Sequence, residues 1–123
     1  DFDVVTASGY VPLQTRLARD RILWQPDVGW LAVSLQEPAQ FLRTFRAHII
    51  SAHIKDADPS GGVGDDRWRD LGEGKINWTE ILGVLQASPC TDLFVEHDEP
   101  SDARATLDTG YRFLWTHLES GAA

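Results

Sequence analysis

The stretch "SAHIKDAD", Ser51 to Asp58, sets an imidazole (His53), an ammonium (Lys55) and a carboxylate (Asp56) close together directly after the apolar run "HII". At the end of a buried strand such groups are costly unless they pair with one another or with a cation. Two other runs close in the same way. "RILWQPD", residues 21 to 27, ends on Asp27, and "DLFVEHD", residues 92 to 98, carries Glu96 and Asp98. Two carboxylates and one imidazole form a ligand set for a divalent metal such as Mn2+, Mg2+, Co2+ or Zn2+, and around a cation their burial becomes favourable. Taken singly, Asp27 also suits a cap or turn, His53 a hydrogen-bonded core position, and Glu96 half of an ion pair. The argument for a metal rests on all three arriving together.

Strand alternation brings them together. In "IISAHIK" one face holds Ile50, Ala52 and Ile54, and the other holds Ile49, Ser51, His53 and Lys55. Leu23, Gln25 and Asp27 share a face of the first run, and Phe94, Glu96 and Asp98 share a face of the third. Parallel strands would then deliver Asp27, His53 and Glu96 to the carboxyl edge of one sheet face, where βα folds build their sites.

The elements that must position these residues alternate: helix, strand, helix, strand, helix, strand, helix. That order signals βαβ units and a parallel sheet. Pro38 suits the first turn of a helix burying Phe41, Leu42 and Phe45. Asn77 and Glu80 form a capping-box pattern ahead of Ile81, Leu82 and Leu85. Ser101 is the expected cap of a last helix with Leu107, Tyr111, Leu114, Trp115 and Leu118 at three- and four-residue spacing. The glycine-rich link from Ala57 to Trp78 is long for a compact unit, and links of that length are usually functional.

Composition narrows the function classes. Among 123 residues, 19 acidic side chains against 11 basic ones give a net charge of −8, which repels phosphate backbones and disfavours nucleic acid as a partner. No apolar run approaches the roughly 20 residues of a membrane helix, so membrane insertion is not expected. The single cysteine, Cys90, excludes an internal disulfide and leaves the compartment open, with the cytoplasm as default. The lack of methionine and the opening "DFDVV" point to a piece of a longer chain with its N-terminal half missing.

"PDVGW", "AHIKD", "DLGEGKINW" and "LFVEHDEPSD" followed by a helix resemble the C-terminal half of the sugar phosphate isomerase/epimerase family, the xylose isomerase-like TIM barrels. The resemblance covers most of the chain, from about Asp3 to Leu118. It implies an α/β fold, a partial TIM (β/α)8 barrel comprising strands 6 to 8 plus a preceding helix, with residues 1 to 123 as one partial domain. It also implies a divalent metal held by Asp27, His53 and Glu96, with Glu96 doubling as an acid/base residue that moves a proton beside a carbonyl or hydroxyl carbon. The family's fourth ligand, a glutamate from the fifth strand, has no counterpart here.

Lys55 is then a candidate to hold a substrate oxygen or stabilise an enediolate-like charge, the alternative being a solvated lysine paired with Asp56 or Asp58. Trp30 and Trp68 are candidates to stack on a sugar ring, or are ordinary packing residues. Asp98 is a candidate to orient a ligand or a water, and His97, on the opposite face, is structural. Pro26 departs from the apolar residue usual before the metal aspartate. The expected substrate is a small sugar or cyclitol. Two chemistries fit, isomerase or epimerase on the one hand and lyase or dehydratase on the other. A non-catalytic half-barrel that only binds or assembles is a third reading, and the open sheet edges of a half-barrel favour self-association into a homo-oligomer.

Overall fold

The computed structural model describes residues 17–18, 22–34, 37–61 and 64–120. In chain order its elements are α1 (Val28–Ser34), α2 (Pro38–Thr44), β1 (Ser51–Ile54), β2 (Asp56–Ala57), β3 (Trp68–Arg69), α3 (Trp78–Gln86), β4 (Asp92–Val95) and α4 (Ala103–Ser120). The helix expected ahead of the first strand lies outside the described residues apart from Leu17 and Ala18, which are helical.

The fold is mixed α/β. Strands β1 and β4 pair in parallel, from Ser51↔Asp92 to Ile54↔Val95. Residues 22–27 run parallel along the other edge of β1 and touch it through two isolated bridges, Trp24↔Ile49 and Asp27↔His53. Pro26 explains why this run is not a continuous strand: it has no N–H to donate, although its carbonyl accepts the His53 N–H at 2.9 Å.

The register advances by one residue between the two bridges, three steps on the first run matching four on the second. An extra residue on one strand is a bulge, and a one-residue slip moves side chains to the other face. In unslipped register Asp27 would sit opposite Ala52, which is fully buried in the core. The slip places it opposite His53 instead. It also corrects the expected faces around Ile49: Ile49 is fully buried with Ala52 and Ile54, while Ile50 is 38% exposed at the bend.

Helices cover the apolar side. Trp24 meets Phe41 edge-on at 5.7 Å between ring centroids, and α1, α2 and α3 bury Leu31, Leu42, Ile81 and Leu85 against the strands. Each such fully buried side chain stabilises the fold by about 1.5–3 kcal/mol. Pro38 opens α2 as expected, and the Asn77 side chain accepts the Glu80 N–H at the start of α3. The cap of α4 is different from expectation. Asp102, not Ser101, receives the Arg104 and Ala105 N–H groups, at 3.0 and 3.1 Å. The expected buried stripe of α4 is also revised, because Leu107, Tyr111 and Trp115 are exposed, whereas Thr106 and Gly110 are buried and Phe113 and Leu114 pack on the core.

The described residues of the long link gather around one carboxylate. Asp56, 1% exposed, accepts the N–H groups of Ala57 at 2.8 Å, Gly72 at 2.9 Å and Gly74 at 3.1 Å. Beside it β2 and β3 pair antiparallel, Ala57 with Trp68. Gly72 has φ +91°, the left-handed region, and a Cβ on Gly74 would overlap the Asp56 carboxylate. The link therefore folds back over the end of β1, and Trp68 is carried there with it.

Candidate metal centre

Asp27, His53 and Glu96 come from three adjacent parallel segments, and one ligand atom from each lies within 4.8 Å of the other two. Metal–ligand bonds of about 2.0–2.4 Å put opposed ligands about 4–5 Å apart. The three donors thus suit one shared ion in spacing and chemical type, two carboxylate oxygens and an imidazole nitrogen. All three residues are half-buried, which leaves access from solvent.

Local structure fixes each of them. Asp27 stands at the N-terminus of α1, where its Oδ1 accepts the Trp30 N–H at 3.0 Å and its carbonyl accepts the Leu31 N–H at 3.1 Å, the bonds of a helix cap. His53 is pinned from both sides. Its Nδ1 hydrogen-bonds Glu96 Oε2, and its Nε2 lies 3.1 Å from Gln25 Oε1. Gln25 is in turn fixed by donating to Ser51 Oγ at 2.7 Å. Both ring nitrogens therefore face acceptors, and ligation needs a neutral ring with one nitrogen turned from its partner to the ion. Gln25 is a residue that sequence reasoning missed as a partner of His53. Its place on the Asp27 face was the available signal.

Lys55 occupies the centre of the cluster. Its side chain is 2% exposed, and its ammonium lies 2.6 Å from Asp98 Oδ1, 3.1 Å from Glu96 Oε1 and 3.3 Å from Asp27 Oδ2. It is therefore not a solvated lysine. Asp56 faces the loop amides, and Asp58 lies 3.5 Å from Lys75 instead. Trp30 and Trp68 pack edge-on at 4.8 Å between centroids, with the Lys55 ammonium 5.7 and 4.8 Å from the respective centroids. Trp68 is 3% exposed and its indole N–H has no acceptor among the described residues. Trp30 is half-buried, so it has the more accessible ring of the two. His97 accepts the Glu99 N–H through Nδ1 and stays out of the cluster.

The charges bias one another. Burial holds Asp27 above its ordinary value of 3.8, against the pull of the Trp30 N–H and of Lys55. For Glu96 burial acts the same way, but hydrogen bonds from His53 and Lys55 outweigh it and hold the carboxyl below 4.5. For Lys55 burial works to lower the value, and the Asp98 hydrogen bond with the Asp27 and Glu96 charges outweighs it, holding the ammonium above 10.5.

These directions give opposite linkages. The Glu96 contribution to stability is complete above pH 4.5 and is lost as pH falls through its lower folded value. Folded Asp27 binds its proton more tightly than the unfolded chain does. Its contribution is complete below pH 3.8 and declines as pH rises through its folded value, so ionised Asp27 is a cost at neutral pH that a cation offsets. Added Mn2+ is therefore expected to raise the melting temperature most at neutral pH, and progressively less as the pH is lowered toward 3.8. Scanning calorimetry across that range checks this, and a pH-independent shift would contradict it.

Comparison of the chain with models of known protein families gives no match, and comparison with curated proteins gives none either.

Proposed function

We propose that this chain carries the metal and proton-transfer centre of a divalent-metal-dependent sugar (phosphate) isomerase or epimerase, built on strands 6 to 8 of a TIM barrel. The observation that carries the reading is the convergence of Asp27, His53 and Glu96 within 4.8 Å at the same end of three parallel segments. The motif resemblance supplies the reaction class.

Asp27, His53 and Glu96 would hold Mn2+, Mg2+, Co2+ or Zn2+. Once bound, such an ion polarises the oxygens of a carbonyl or hydroxyl substrate and acidifies the neighbouring C–H. Glu96 is ionised at neutral pH and serves as proton acceptor on that carbon. Lys55, held protonated by its three carboxylates, is an electrostatic partner for the developing oxyanion and a poor base. Trp30 offers an apolar wall to one face of a sugar ring.

The test is proton exchange. With Mn2+ in D2O, a panel of ketoses and keto-cyclitols followed by NMR is expected to show deuterium entering the carbon beside the carbonyl. Exchange with interconversion of sugars supports the isomerase reading, and exchange with loss of water supports a dehydratase. No exchange by wild-type protein that binds Mn2+ would leave a metal-binding unit without this chemistry.

A further inference from the structure

Lys55 is an unusual neighbour for a metal centre, because its ammonium already lies against two of the three candidate ligands. A divalent ion and an ammonium sharing those oxygens would repel each other strongly at such short range. Lys55 has nowhere in solvent to go, being 2% exposed and lying beneath Trp30 and Trp68. Its closest contact is with a carboxylate outside the ligand set: Asp98 at 2.6 Å, against 3.1 and 3.3 Å for Glu96 and Asp27. Three carboxylates surround this one ammonium, an excess of acidic groups that suits a divalent cation.

We infer that Lys55 is the resident cation of this centre: it holds Asp27, Glu96 and Asp98 together before a divalent ion enters, then withdraws onto Asp98 when the ion binds. Lys55 thereby sets metal affinity, and Asp98 acts as a positioning residue through it. This inference rests on the metal reading above. Withdrawal gives up the two longer contacts and keeps the shortest, so the site passes from a lysine-filled to a metal-filled state with little rearrangement of its backbone. It also keeps a positive charge beside the metal-filled site.

Removing the competitor and removing its resting place have distinguishable effects on metal binding. Lys55→Met keeps the stem and deletes the charge, and Mn2+ titrated by calorimetry is expected to bind it roughly tenfold more tightly than wild type. Asp98→Asn leaves Lys55 on the ligands and is expected to weaken Mn2+ binding roughly tenfold. In the Lys55→Met background the same Asp98→Asn change is expected to cost much less. A merely structural role would weaken binding in both single variants and would make the Asp98→Asn effect independent of Lys55.

A second measurement uses the wild-type protein and does not depend on a variant folding. The chain has two lysines, Lys55 and Lys75, so 15N-lysine labelling yields two ammonium signals. Saturation with Mg2+ is expected to shift the Lys55 signal and leave that of exposed Lys75 in place. Equal Mn2+ affinity in wild type and Lys55→Met, or an unmoved Lys55 signal under bound Mg2+, overturns this inference while leaving the metal centre intact. Absence of Mn2+ binding in both proteins overturns the metal reading and this inference with it, whereas binding by Lys55→Met alone supports both.

Discussion

Asp27→Asn is expected to lower Mn2+ affinity at least about 100-fold, since losing even a residue that supports a ligand costs roughly 10- to 100-fold. The fold should stay within about 1 kcal/mol of wild type, because asparagine caps a helix as well as aspartate does and can accept the Trp30 N–H that Asp27 Oδ1 accepts at 3.0 Å. Asp27→Ala removes the cap as well and should lose about 1 kcal/mol more. Mn2+ calorimetry beside thermal melts separates the two effects. Unchanged Mn2+ affinity in Asp27→Asn would remove Asp27 from the centre.

Asp56→Ala should be the most damaging change to the fold. It deletes the carboxylate that receives the Ala57, Gly72 and Gly74 N–H groups; the buried Ala57 donor left without an acceptor costs about 1–3 kcal/mol, and the two part-buried glycine donors add less. A loss on the order of 10 °C in melting temperature is expected. Because Ala57 pairs with Trp68, release of the link should also uncover Lys55, visible as faster exchange of its ammonium protons. Asp56→Asn keeps an acceptor and should fall between. A melting temperature within about 2 °C of wild type would mean that the link is held by other contacts. Within the "SAHIKDAD" stretch Asp56 faces the amides of the link, whereas His53 and Lys55 face the carboxylates of the candidate centre.

Local patterns carried much of this fold. Pro38 and Asn77 mark helix starts because a missing N–H and a short polar side chain act within one turn. The three apolar runs read correctly as parallel neighbours, with Asp98 on the Glu96 face. Two features of α4 were not legible, one a choice between neighbours and one set by distant partners. Asp102 outcompeted Ser101 for the α4 cap, a choice between adjacent side chains that either can satisfy. The apolar spacing of Leu107, Tyr111 and Trp115 marked a helix correctly but not its buried side, since spacing is intrinsic to the chain and burial depends on what packs against it.

The sequence by itself determined groupings within each run: alternation with period two sets Gln25 with Asp27, His53 with Lys55, and Glu96 with Asp98. Which of these faces come together, and how, depended on the fold. The one-residue slip beside Pro26 put Asp27 opposite His53, and the link fastened by Asp56 closed Trp68 over Lys55. Both depend on hydrogen bonds between residues far apart in the chain. Burial then set the lysine against the carboxylates of the site itself, because a charge removed from water must find its opposite within reach.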